Sequence, residues 1–323
     1  MKKIMIIHTG GTIAMEDHAE EGTIMTKDKH PLTQHLNHLQ TFASISEHYL
    51  LDLPSPQMTP KEMLRIGQTI QELVEAGLYD GVVITHGTDT LEETAYFLDL
   101  YLNNDIPVVL TGAMRSSNEI GSDGLYNLIS SIRVASDPDS KHKGVLVVMN
   151  DDIHTAPVVT KTSTSNVATF QSPQFGPIGM ITKEDIYYYQ TRLTFEHISF
   201  DHVSKVVPLL KVYAGMEPSF ISAVMAAEID GLVIEAFGQG NVPIALADQI
   251  DQLIERDIPV VIVSRSFKGN VQPTYAYVGG GKQLKDKGVF FEKRLSGPKA
   301  RIRLLALLAS GCDRTALKQK LCP

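Results

Sequence analysis

The chain has 323 residues, enough for two domains that each bury a core, and 43% of it is hydrophobic, an ordinary share for a globular protein. A formal charge of −8, without any basic cluster interleaved with aromatics, argues against nucleic acid or an anionic membrane surface as partner, because both need dense lysine and arginine. The apolar runs are strand-sized, too short to cross a bilayer.

Lys2-Lys3 and the apolar residues Ile4 to Ile7 resemble a secretory start, but His8 and the glycines after it cut the apolar region short. Cys312 and Cys322 lie near the C-terminus at no metal-ligand spacing, so a cytoplasmic location with reduced thiols is expected.

Residues 3–8 read as a first strand, followed directly by Thr9-Gly10-Gly11-Thr12. Adjacent glycines let backbone approach a ligand or another strand closely. Neither a P-loop nor a three-glycine dinucleotide fingerprint is present, which leaves Thr12 as a hydroxyl on a glycine turn at a strand end. Residues 16–30 are polar and too long for an ordinary βα connection, as lids over sites often are. His18, His30, His35 and His38 in or near this stretch read as surface residues, since no acidic or cysteine partner recurs at ligand spacing.

A second strand is expected over 45–53, then Ser55 between two prolines in an extended turn, then a helix from Pro60 to about Gly77 capped by Thr59. The central stretch is Gly81 to Glu93. Its β-branched run Val82-Val83-Ile84-Thr85 suits a strand buried on both faces. The chain then turns at Gly87, presents Thr88 and Asp89, and enters a helix at Thr90, with Glu93 completing a capping box. A strand over 106–110 exits through Gly112-Ala113-Met114-Arg115, with Arg115 as an orienting charge, and the next helix carries Leu125, Leu128, Ile129 and Ile132 as core. After a buried strand at 144–150, Lys161 follows apolar β-branched residues. If buried, it must be paired with a carboxylate or lose its proton.

The expected fold class is α/β. A larger N-terminal doubly wound domain with a mostly parallel sheet (1–186) and a linker (187–205) precede a smaller C-terminal α/β domain (206–323). In the latter, strands are expected at 206–212, 231–235 and 258–263, helices at 219–228 and 243–255, and an amphipathic tail helix at 299–310. In a parallel sheet the carboxyl ends share one side, so Thr12, Ser55, Thr88, Asp89 and Ala113 should meet on one rim. A threonine nucleophile needs a base, and without a positioned histidine a lysine can serve. Asp89 would then pair with Lys161 or hold a ligand's ammonium group. The same rim could also bind an amino acid without chemistry.

The segments from His8 to Ala14, from Thr85 to Glu93, Gly112 to Arg115 and Val159 to Thr162 resemble the signature segments of bacterial-type L-asparaginases, in order along nearly the whole chain. The cytoplasmic branch is the more similar one. The resemblance implies hydrolysis of L-asparagine to aspartate and ammonia without metal or cofactor, by a homodimer or homotetramer. Thr12 would be the nucleophile, and Thr88 with Lys161 a proton-relaying pair. Asp89 would grip the α-ammonium group and Ser55 the α-carboxylate. The Ala113 backbone would hold the amide, with Gly11 and Gly87 on the substrate-binding turns, and Asn241 of a neighbouring copy would complete the site. Two departures stand out. Thr23 occupies the approximate place of the family's lid tyrosine, and the region of Tyr275 and Tyr277 lacks the carboxylate often found in relatives that also use glutamine. One methylene is worth only about 1–3 kcal/mol of discrimination, so a side activity on glutamine is compatible with the resemblance.

Overall fold

The computed structural model describes residues 1–18, 23–26, 39–103, 105–192 and 196–321. His30, His35, His38 and Cys322, read above as surface histidines and a reduced thiol, lie outside them. The chain divides into two compact units, Met1–His197 and Ile198–Pro323. The division falls inside the stretch 187–205.

The strands of the first unit are β1 Lys3–His8, β2 Met15–His18, β3 Thr23–Thr26, β4 Ser44–Tyr49, β5 Gly81–Thr85, β6 Val108–Thr111, β7 Val145–Met149, β8 Asp152–Thr155, β9 Thr160–Lys161, β10 Phe170–Gln171, β11 Gly179–Ile181 and β12 Ile186–Tyr188. Eight of them form one sheet in the order β12-β11-β8-β7-β6-β5-β1-β4. The strands β4, β1, β5, β6 and β7 run parallel, and β8, β11 and β12 extend the sheet antiparallel. The continuous apolar runs follow from burial on both faces. Ile4, Ile6, Val83, Val109, Leu146 and Val148 pack with the helix Gly124–Ser136 through Leu128, Ile132 and Val134, with Leu125 and Ile129 at the margin of that cluster. Met5, Ile7, Val82, Ile84, Val108 and Leu110 alternate with them, point to the opposite face and are just as buried. The helices Pro60–Glu75 and Leu91–Tyr101 pack on each other, and the second also lies against β6 and β7.

The antiparallel extension is absent from the sequence reading. Its entry is a two-residue turn, Asn150-Asp151, with both residues at positive φ (51° and 66°), joining β7 to β8. Such a turn is a hairpin signal because its twist matches that of the strands it joins. The stretch 16–30 is likewise not a plain loop, since β2 and β3 within it pair antiparallel, with His18 opposite Thr23.

In the second unit, β13 Leu209–Lys211, β14 Leu232–Ala236, β15 Val260–Ser264 and β16 Phe290–Phe291 form a parallel sheet in that order. Leu232, Ile234, Val260, Ile262, Leu246 and Ile250 anchor its core. The tail helix, Gly297–Ala309, is buried over most of its circumference rather than along one stripe. It lies against β13, β14 and β15, while Arg303 donates to the carbonyl of Lys320 in the helix Arg314–Leu321. Among the described residues, no helix is long and apolar enough to cross a membrane.

Candidate active site at the sheet rim

The chain leaves β1 for β4 on one side, then crosses back to β5 on the other. The order of strands therefore reverses at β1, and the crevice between β1 and β5 is a topological switch point, where open α/β sheets bind ligands. His8 pairs with Thr85 and Thr85 with Thr111, so these strands end level. Beyond them the rim is stitched by backbone: Thr9 N donates to Thr85 O at 3.1 Å, and His86 N to Thr111 O at 2.9 Å.

The turns after β1 and β5 touch. Gly11 has φ 89°, and a Cβ built on it would sit 2.3 Å from Gly87 Cα. A Cβ on Gly87 would fall 2.7 Å from Ser55 Cβ. Only glycine allows this approach and this dihedral. The close contact brings Thr12, Ser55 and Thr88 onto one cavity of about 360 Å³, lined also by Gly11, Gly87, Asp89, Lys161, Met15, Pro54, Pro56, Met114 and Thr164.

Lys161 is the cavity's cation. Its Nζ donates to Thr88 Oγ1 at 2.9 Å and to Asp89 Oδ1 at 2.7 Å. Its side chain is 17% exposed, and the partner carboxylate of Asp89 is 58% exposed. Thr12 begins the short 3₁₀ turn Thr12–Ala14, and among the described residues nothing hydrogen-bonds its hydroxyl. Ser55 begins a second 3₁₀ turn, Ser55–Gln57, rather than the extended turn expected, and its Oγ accepts from Asp89 N at 3.2 Å.

Thr90 occupies the N-cap position of the helix Leu91–Tyr101 but forms no capping box: its hydroxyl donates to Ser55 O at 2.8 Å instead. Tertiary contact has outcompeted the local cap: the Ser55 carbonyl, which already accepts from Met58 N at 3.0 Å, takes the Thr90 hydroxyl as a second donor. Behind the turn, His86 is fully buried. Its Nδ1 donates to Gly87 O at 2.7 Å and its Nε2 accepts from Thr94 Oγ1 at 2.9 Å, which holds the Gly87 peptide. Burial pushes the imidazole down to about 4, against the opposing pull of the Gly87 carbonyl.

The loop after β6 is held by residues the sequence reading passed over. The Asp123 carboxylate accepts from Met114 N and Arg115 N, and Asn127 bridges Asp123 and the Gly112 carbonyl. Ala113 is buried with Ile13 in the core, and Met114 is the residue of this loop that lines the cavity. Arg115 is not an orienting charge for the cavity, because its guanidinium donates to Gly121 O and lies 3.8 Å from Glu119. Asn241 belongs to the second unit, where its Oδ1 accepts from Gly281 N at 3.0 Å. Among the described residues, no cluster of three or more metal-ligating side chains occurs.

Fold and rim together define an α/β protein that gathers hydroxyls and the amine of Lys161 at a switch point, the arrangement of an α/β enzyme site. Comparison with known proteins narrows the class. The family profile "Asparaginase, N-terminal" matches residues 3–194, and "Glutaminase/Asparaginase C-terminal domain" matches residues 206–321. The chain is 38% identical over 326 residues to a probable L-asparaginase of Deinococcus radiodurans, covering 99% of this chain and 97% of that one. It is 35% identical over 322 residues to an L-asparaginase of Bacillus licheniformis, covering 99% of each. A crystal structure described as a probable cytoplasmic L-asparaginase from Campylobacter jejuni superposes with a TM-score of 0.88 at 31% identity, covering 99% of both chains. The chain belongs to the asparaginase family, hydrolases acting on amides.

Proposed function

We propose that this protein hydrolyses the side-chain amide of L-asparagine to L-aspartate and ammonia through an acyl-enzyme on Thr12. The observation that carries the reading is the Thr88–Lys161–Asp89 cluster, 2.9 and 2.7 Å across its two contacts, on the same cavity as the hydroxyl of Thr12. Family membership and the names of the similar proteins support the substrate.

In the first half-reaction the Thr12 oxygen attacks the amide carbon, the C–N bond breaks, and the hydroxyl proton leaves with nitrogen as ammonia. In the second, water adds to the ester and gives a proton to the Thr88–Lys161 pair. The ester C–O bond breaks, and Thr12 regains its proton as aspartate forms. The exposed Asp89 carboxylate holds the substrate's α-ammonium group. Ser55 already accepts from Asp89 N and still has its own hydroxyl proton to give to the α-carboxylate. The backbone of the Ala113-Met114 loop, which reaches the cavity at Met114, is the partner for the amide. Backbone amides at the Gly11 and Gly87 turns face the developing oxyanion, a contribution of about 3–4 kcal/mol per donor.

A glutamine side activity belongs to the same proposal. The second matched profile is shared by glutaminases, and one methylene separates the substrates by only about 1–3 kcal/mol. So do action in the cytoplasm and assembly as a homodimer or homotetramer, with Asn241 contributed by a neighbouring copy. Tyr275 and Tyr277 on the second unit are each about half exposed with rings 5.7 Å apart, an apolar surface that such an assembly would cover.

Ammonia release from asparagine by the purified protein, with glutamine as comparator, tests the reading. Thr12→Ala and Lys161→Met are each expected to lower kcat by about 10³-fold or more with little change in melting temperature. Calorimetric binding of asparagine without turnover by the wild-type protein would replace hydrolysis with sensing.

A further inference from the structure

Lys161 stands on β9, a two-residue strand paired only with β10 and outside the main sheet. A ribbon that short does not by itself set the position of a reacting amine. What ties it to the rim is Glu92, in the first turn of the helix that begins just after Thr88 and Asp89. Glu92 Oε1 accepts from Thr160 Oγ1 at 2.9 Å and from Lys161 N at 3.2 Å. The backbone of Lys161 is thereby anchored to the helix that directly follows the turn bearing the hydroxyl its amine reaches.

We propose that Glu92 is a positioning residue for the reaction. It staples β9 to the first turn of the helix that follows the Thr88–Asp89 turn and so sets the distance between the Lys161 amine and the Thr88 hydroxyl. The inference rests on the proton-relay reading of that pair. Glu92 does not line the cavity, so its influence on the reaction passes through Lys161. The requirement is for an acceptor oxygen at this point rather than for a charge as such.

The test is steady-state hydrolysis of asparagine by Glu92→Ala, Glu92→Gln, Thr160→Val, Lys161→Met and the double variant Glu92→Ala/Lys161→Met, each with a thermal melt. Displacing a catalytic group by about 1 Å can cost about 100-fold, so Glu92→Ala is expected to lower kcat by about 10- to 100-fold with KM within about threefold. Glutamine keeps an acceptor oxygen, so Glu92→Gln should return kcat to within about threefold of wild type. Thr160→Val removes one of the two bonds and should cost a few-fold. In the Lys161→Met background, Glu92→Ala should cost nothing more, which a merely structural role would not produce.

Full kcat in Glu92→Ala, or an undiminished further loss in the double variant, overturns the proposal while leaving Lys161 in its role. Wild-type kcat in Lys161→Met overturns the relay reading itself. If Glu92→Ala does not fold, Thr160→Val decides, and an unchanged kcat there overturns the staple.

Discussion

Substituting His86 by asparagine makes a buried titration beneath the rim measurable. The asparagine amide can keep the donation to the Gly87 carbonyl that Nδ1 makes, while the acceptor for Thr94 is lost. That loss is independent of pH and costs about 1 kcal/mol. The pH-dependent part comes from the imidazole, whose ordinary value of 6.5 falls to about 4 in the folded state because it is fully buried. Above 6.5 both states carry neutral imidazole, and it contributes no pH dependence. As pH falls below 6.5 the unfolded chain takes up a proton that the folded chain refuses until about 4, so the wild type loses stability across that window.

At about 1.4 kcal/mol per pKa unit, the loss approaches about 3 kcal/mol once pH is near 4. The assay is urea denaturation of both proteins at about pH 7.5 and about pH 4.5, taking the difference so that carboxylate titrations common to both cancel. The stability of His86→Asn relative to wild type should rise by about 2.5 kcal/mol between the two conditions, so that a deficit of about 1 kcal/mol at the higher pH becomes a surplus at the lower. A deficit that stays constant with pH would mean that the imidazole titrates normally, and the account of a dehydrated, neutral His86 would fail.

Asp99 is 1% exposed at its side chain, and Arg192 grips it through both terminal nitrogens while Val145 N donates to the same carboxylate. Arg192→Met leaves a buried charge without its cation and should cost about 3–5 kcal/mol by denaturant unfolding, with kcat of the remaining folded enzyme unchanged. Thr90→Val removes one of the two donors to the Ser55 carbonyl, Met58 N being the other, at near-constant volume. Loss of about 1 kcal/mol in holding that turn should appear chiefly as an approximately fivefold rise in KM for asparagine. Gly11→Ala must push apart the Gly11 and Gly87 turns, which would meet at 2.3 Å, and should abolish turnover while lowering the melting temperature by several degrees.

The sequence by itself determined the elements whose causes are local. β1, β5 and β7 announce themselves because a strand covered on both faces must be apolar throughout, and Pro60 and Gly87 mark a start and a turn by their backbone chemistry alone. It also carried the hydroxyls of Thr12, Ser55 and Thr88, since each follows a strand directly. Which of these share a cavity with Lys161, 73 residues beyond Thr88, depends on strand order. Only the tertiary structure sets that order, because hydrogen bonds between strands carry no side-chain label. The same holds for the destinations of polar side chains. Thr90 has a local cap written into the helix signal, yet its hydroxyl bonds the Ser55 carbonyl, and Glu92 in the same first turn accepts from Thr160 and Lys161 on β9; tertiary packing decides which distant groups arrive there.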